Sequence, residues 1–439
     1  MAKEAVLLDD LGVTPFLRRV TLFSSGGPFL EGYVLGVVGI AMVKMVPDLH
    51  LTDSQVGAIG TIVLAGLFVG AILGGWATDK LGRRKMFVID VLAIAALSIG
   101  NLFVHDAIQL IAVRFLIGVA IGADYPIATS MIAEFTPRRY RAISMGFIAA
   151  VWYVGANVSY LVGYLVLEWR NGWRWALASS LIPCIIILVG RWSIPESPRW
   201  LYSKGRKEEA DQILHDIFDH WVVLEEEPSE RTRFGEIFKG VYLKRILFVG
   251  FIWLCQAIPM FAIYTYGPQI MGAFGFDSGR GILIGESIVG TFFLLGTIPA
   301  MFLAEWLGRR PLIIYSFLLM TAAMAVLGWY KGAPIAVVIA CFGIYAICSG
   351  GPGNLQWLYP NELFPTQVRA SAMGVAMAFS RIGTVFSIYL LPGLISTRGI
   401  EAVMLMGAGI SALGALVSIL FAPETKGLTL AAASSVERR

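Results

Sequence analysis

Glu31, Arg114, Asp124 and Arg381 fall inside long apolar runs, where charge is hard to keep. At the centre of a membrane-spanning helix each costs roughly 2.5–3.5 kcal/mol on insertion scales, so each requires a partner or a cavity. Glu31 lies about ten residues into the first run, roughly 15 Å from its start at the helical rise. Asp90 and Glu286 sit nearer the ends of their runs. A buried carboxylate holds protons more firmly, and a neighbouring arginine opposes this, so such a pair can exchange a proton during a cycle. The four histidines (His50, His105, His215, His220) fall outside the apolar runs. Proton coupling would therefore rest on Glu31 with Arg114, and on Asp124. The alternative is that Glu31 and Arg114 simply neutralise each other while Asp124 finds arginine or hydroxyl partners. Arg381 offers the planar fork that suits a carboxylate, or else it is a satisfied structural arginine. Gln256, Tyr264 and Asn354 add polar groups, and Trp152, Tyr153, Phe261 and Trp357 would suit a flat or partly apolar solute.

The elements that must hold these groups are membrane helices. The 439 residues are 57% hydrophobic and 15% charged, with a mean hydropathy of +0.73, which is not the balance of a soluble chain. Apolar runs near 21–45, 53–78, 83–103, 107–133, 141–167 and 173–194 are followed by runs near 245–272, 281–304, 311–329, 334–358, 370–396 and 401–421. Each is long enough to span a bilayer as a helix. The expected fold class is all-α membrane protein, with twelve transmembrane helices in two pseudo-symmetric six-helix bundles. The expected divisions are an N-terminal bundle over 1–194, a cytoplasmic linker over 195–243 and a C-terminal bundle with a short tail over 244–439. Within the linker, Lys204–Asp219 spaces apolar residues at the helical period and predicts short amphipathic helices; the acidic run 225–230 reads as solvated linker. Lysine and arginine concentrate in the N-terminus and in one set of loops, which predicts a multi-pass inner-membrane protein with both termini cytoplasmic. The net charge of +4 reflects that topology and does not argue for nucleic acid. The cysteines lie within predicted spans and give no disulfide framework, and no cleavable signal is evident.

The chain repeats itself. Glu134-Phe-Thr-Pro-Arg-Arg-Tyr-Arg141 recurs as Glu362-Leu-Phe-Pro-Thr-Gln-Val-Arg369, 228 residues later, and Pro195-Glu196 recurs as Pro423-Glu424. Leu81-Gly-Arg83-Arg84 recurs as Leu307-Gly-Arg309-Arg310 at an offset of 226. Such duplication in an apolar chain points to two transporter halves facing each other across a central site. The repeated charges, with Asp79 and Arg199, are expected to form a gate network that alternates with transport. The bland reading is helix-end charge in a wet interface, where each pair contributes little. At depth, Gly122-Ala-Asp124-Tyr-Pro126 maps onto Gly350-Gly-Pro352-Gly-Asn354, predicting matched helix interruptions beside the site.

The glycine-rich helix end, Asp79 and Gly82-Arg-Arg-Lys85 resemble the loop signature of the major facilitator superfamily. Arg114-Phe-Leu-Ile-Gly118, Pro195-Glu-Ser-Pro-Arg-Trp-Leu201 and Pro423-Glu-Thr-Lys-Gly427 resemble its sugar-porter branch, in which a helix-1 acid faces the helix-4 arginine. The resemblance spans nearly the whole chain and implies that Glu31 faces Arg114. Gly122–Pro126 resembles the helix-4 segment of phosphate and organic-acid symporters, where the acid is implicated in proton or substrate handling. Ser380-Arg-Ile-Gly383 resembles a segment of nicotinate and organic anion carriers. Helix 7 departs from the sugar porters, with Phe261 and Pro259 where their pattern has Asn and Gly. The expectation is a proton-coupled symporter that takes up a small organic anion, such as an aromatic or sugar acid, by rocker-switch alternating access. A sugar symporter or facilitator, an exporter of aromatic or drug-like compounds, and a transporter-derived sensor are the alternatives. Enzyme chemistry has no support: no nucleotide loop, metal cluster, nucleophile or cofactor site is seen. The driving force would be the proton gradient, and the partners a small solute, protons and the bilayer, with the chain acting as a monomer.

Overall fold

The computed structural model describes residues 6–166, 168–218, 222–224, 234–273 and 279–435, apart from the side chains of 40, 43, 53, 160, 164, 264–273, 279–290, 386–393 and 396. The Tyr264 and Glu286 side chains and the acidic run 225–230 lie outside the described residues.

The first half contains α1 (Pro15–Ser24), α2 (Gly26–Asp48), α3 (Asp53–Leu81), α4 (Arg83–Gly100), α5 (Ala107–Phe135), α6 (Arg141–Val166), α7 (Gly172–Ala178) and α8 (Leu181–Trp192). The interval carries α9 (Pro198–Ser203), which lies before the periodic stretch, and α10 (Lys207–Ile217), which falls within the Lys204–Asp219 stretch whose periodicity predicts a helix. The second half contains α11 (Gly240–Ala273), α12 (Gly279–Trp306), α13 (Arg309–Trp329), α14 (Ile335–Leu363), α15 (Arg369–Phe421) and α16 (Leu430–Ser435). Among the described residues, nine helices are long and apolar enough to cross a membrane. The architecture is the expected one of twelve spanning helices in two six-helix bundles. The sixth span is split between α7 and α8, and the last two spans share α15, which turns at Gly399 (φ 80°). Two features have no counterpart in the hydropathy reading. Helix α1 starts at a Thr14 cap with Pro15 at its first position, as termini favour. A two-residue strand β1 (Val6–Leu7) pairs in parallel with β2 (Val222–Val223).

The predicted helix interruptions do not occur. Pro126 lies inside α5, and Pro352 and Pro360 lie inside α14, with helix continuing on both sides. Bundle neighbours and local adjustments can satisfy the backbone groups that proline frees in a spanning helix.

Small residues set the packing. A Cβ on Gly118 of α5 would meet Val63 O of α3 at 2.3 Å, and one on Gly66 would meet Phe115 O at 2.2 Å, the close approach that small residues permit between membrane helices. The seam between the bundles uses the same device. A Cβ on Gly374 of α15 would lie 2.0 Å from Ala71 O of α3, and one on its repeat mate Gly146 of α6 would lie 2.3 Å from Met301 Cβ of α12. Both lie towards the end of the bundles that bears the arginine-rich loops, termed here the basic face.

Candidate functional site

A small cavity lies between the bundles, lined from the first half by Glu31, Tyr125, Trp152 and Tyr153 and from the second by Gln256, Phe261, Gln356, Trp357 and Arg381. Glu31 and Arg381 are the only charged residues in its described lining, and they meet across the bundle interface at 3.0 Å. The indole Nε1 of Trp152 donates to the other Glu31 oxygen at 2.8 Å, and the Arg381 guanidinium lies 5.5 Å from the Phe261 ring centre. Tyr125 stacks on Trp357 at 4.6 Å and 14°, first half against second.

Polar atoms are left over around this space. Gln256 Oε1, Gln356 Oε1, Trp357 Nε1 and Arg381 Nε are buried without a protein hydrogen bond among the described residues. Buried polar groups are normally paired, so these four residues hold hydrogen-bonding capacity that the described protein atoms do not use.

Several expected site residues stand elsewhere. Arg114 does not pair with Glu31: its Nε donates to Ile59 O at 3.0 Å inside the first bundle, whereas the Glu31 carboxylate is taken by Arg381. Asp124 does not line the cavity either. It meets Arg191 of α8 at 2.5 Å, and the same Arg191 nitrogen reaches Asp90 of α4 at 3.2 Å. Glycine at position 27 makes room for this cluster, since a Cβ there would overlap Asp124 Oδ2. Asn354 turns away to donate to Thr297 O at 3.1 Å; its neighbours Gly353 and Gln356 line the cavity instead. Sequence reasoning missed Tyr125 and Gln356 as lining residues, and Arg191 as the partner of Asp124.

At the basic face the repeat becomes a mirrored set of bonds. Glu134 Oε1 accepts from Arg83 at 2.9 Å and, across the interface, from Arg369 at 3.1 Å. In the mirror clamp, Glu362 Oε1 accepts from Arg309 at 3.2 Å and lies 3.6 Å from Arg141 of the first half. Asp79 accepts from both the N–H and the hydroxyl of Ser371 across the seam, at 2.8 and 2.6 Å. Its counterpart Glu305 accepts from Ala142 N at 3.1 Å. Asp79 and Glu305 stand 226 apart, so the offset that relates the two Gly-Arg-Arg loops also pointed to Glu305.

Glu196 and Glu424 play a different part from the one their charge implies. Glu196 accepts the backbone N–H groups of Arg83 and Arg84 at the start of α4, and Glu424 accepts those of Arg309 and Arg310 at the start of α13. A carboxylate suits a helix N-terminus. The approach needs the preceding glycines, because Gly82 (φ 107°) and Gly308 (φ 103°) hold conformations that other residues resist. A Cβ on either would press on the carboxylate, at 2.4 and 2.6 Å. Burial pushes the Glu196 carboxyl up from its ordinary value, against the lowering pull of the Ser197 N–H and the Arg83 charge. Arg84 and Arg310 thus join through their backbones, and their side chains are exposed. Arg199 of α9 donates to Glu134 O at 3.3 Å and to Asp9 Oδ2 at 2.5 Å.

The profile of the family described as "sugar (and other) transporter" matches residues 20–436. YaaU of Escherichia coli K12, named as a metabolite transport protein, is 52% identical over 431 residues, 98% of this chain and 97% of its own. The inner membrane metabolite transport protein YgcS of the same strain is 34% identical over 439 residues, 99% of this chain and 98% of its own. Among solved structures, the E. coli proton:xylose symporter XylE bound to 6-bromo-6-deoxy-D-glucose superposes with a TM-score of 0.84 at 24% identity, covering 96% of this chain and 98% of that one. The relatives are transporters and not enzymes, and this chain belongs with them to the sugar (and other) transporter family.

Proposed function

We propose that the chain is a proton-coupled importer of a small hydroxylated organic anion, of the sugar-acid class. The observation that carries this reading is the Glu31–Arg381 pair, set across the interface in a cavity with no other charged lining residue among those described. A substrate carboxylate takes the Arg381 fork in place of Glu31. Glu31, left in a buried cavity without its cation, binds a proton, while Trp152 Nε1 holds the carboxyl in place. Release of the anion on the far side lets Glu31 give up the proton and return to Arg381. The amide oxygens of Gln256 and Gln356 would accept from substrate hydroxyls, and Trp357 Nε1 would donate to one. Tyr153 and Phe261 supply the walls. Asn354 orients α14 against α12, and Asp124 with Arg191 and Asp90 forms a second proton-holding candidate outside the cavity.

The clamps of Glu134 and Glu362, with Asp79, Glu196, Arg199 and Glu424 around them, act as the gate of the basic face, which the lysine and arginine distribution assigns to the cytoplasm. Both termini then lie in the cytoplasm, and a single chain suffices for the rocker-switch cycle.

A second reading is symport or facilitation of a neutral sugar. It draws on the closed Glu31–Arg381 pair, which leaves no net charge in the cavity, and on the likeness to XylE. Uptake into vesicles separates the two. One anion with one proton moves no net charge, so uptake should follow a pH step and ignore a clamped potential, whereas a sugar with one proton feels about 2.3 kcal/mol per 100 mV. Strong voltage dependence with hexose competition would overturn the anion reading.

A further inference from the structure

The two clamps differ at their cross-bundle arginines, and one of those arginines is held by a residue of the N-terminal strap. Glu134 reaches Arg369 of the other bundle at 3.1 Å, but Glu362 stands 3.6 Å from Arg141, too far for a hydrogen bond. That Arg141 nitrogen, Nη1, donates to Leu428 O of the second half at 3.4 Å, while Nη2 donates to Asp9 Oδ1 at 2.7 Å, and Asp9 is only 2% exposed. Several contacts fix the strap. Strand β1 pairs with β2, and Leu8 is buried against Leu214, Phe218 and Val222. Asp10 bridges to Arg138 at 2.5 Å on the outside. The second half has no such acid in the mirror place: 228 residues beyond Asp9 is Ile237, which is buried.

We propose that Asp9 is a positioning residue for the gate, drawing Arg141 towards its own bundle and weakening one of the two cross-bundle clamps. It rests on the reading of the clamps as a gate. When the basic face opens, Arg141 leaves Glu362 but keeps Asp9, so opening strands no bare guanidinium beside Arg199. The strap therefore lowers the barrier to opening and leaves the other clamp at full strength.

Two backbone amides report directly on closure, because Ser371 N and Ala142 N are hydrogen-bonded across the seam to Asp79 and Glu305. Hydrogen–deuterium exchange of the full chain in nanodiscs, resolved to peptides holding Ala142 and Ser371, is the test. Asp9→Asn frees Arg141 to close on Glu362 and should slow exchange at both amides about tenfold, equivalent to about 1.4 kcal/mol. Asp9→Glu should restore the wild-type rates, and Asp10→Asn should leave them unchanged. The double variant Asp9→Asn/Glu362→Gln should lose the added protection. If Asp9→Asn does not yield folded protein, Leu8→Ser releases the strap with all charges intact and should slow exchange in the same sense. Faster or unchanged exchange in a folded Asp9→Asn protein would overturn the proposal, as would protection that survives in the double variant. Glu134→Gln alone should speed exchange; if it does not, the gate reading itself fails and the strap proposal falls with it.

Discussion

Replacing Glu31 with glutamine tests the coupling at its centre. Glutamine keeps the length of the side chain and, through its amide oxygen, the bond from Trp152 Nε1. What it removes is the negative charge 3.0 Å from Arg381. At an effective dielectric constant of about 20, two unit charges at that distance attract by roughly 5.5 kcal/mol before the cost of holding them out of water. If about half survives desolvation, an anion no longer has to displace roughly 2–3 kcal/mol of pairing, and its affinity should rise about 30- to 150-fold. Binding should also lose its dependence on pH, and accumulation driven by a pH gradient should cease while exchange of anion for anion persists. Calorimetry of purified protein against sugar acids at several pH values measures the first two effects, and proteoliposome uptake and counterflow measure the third. Affinity that falls or stays level in Glu31→Gln, or pH dependence that survives it, would refute the displacement argument.

Three further outcomes follow from the packing. Gly374→Ala places a methyl group about 2 Å from Ala71 O, an overpacking that costs roughly 1–3 kcal/mol; exchange at the Ser371 amide should quicken at least several-fold. Arg191→Met leaves the buried Asp90 and Asp124 without their shared cation. It should cost about 3–5 kcal/mol, seen as a lower thermal midpoint, whereas Asp90→Asn retains the Arg191–Asp124 pair and should keep most of the stability. Tyr125→Ala removes the stack on Trp357, worth about 0.5–1.5 kcal/mol beyond burial, and should shift the equilibrium towards the basic-face-open state, measured by the same exchange.

How far the site could be read from the chain follows from what kind of contact each residue makes. The clamps at Glu134 and Glu362 were legible because duplication copies a residue together with its neighbours. Glu31 and Arg381 were picked out singly because charge stands out against an apolar run. Their pairing was not legible, since it depends on how two bundles meet, and spacing along one helix carries no information about that. Arg191 escaped notice at the end of α8, where an arginine usually reaches water. Asp9 was hidden in a polar segment whose role comes from burial between parts of the chain 132 and 190 residues away. The proline positions misled for the opposite reason: a proline that would break a helix in water is carried through one in a packed membrane bundle.

The seam at Gly374 bears on fatigue as well as fit. Surfaces that interlock through large side chains must disengage knob from hole each time they part, and each disengagement re-sorts rotamers. A contact of bare backbone on backbone, as at Gly374 and Ala71, has nothing to disengage. It works like a plain bearing, close when shut and smooth when it opens. The charged clamps beside it can then set the threshold for movement, with little friction added by the surfaces that move.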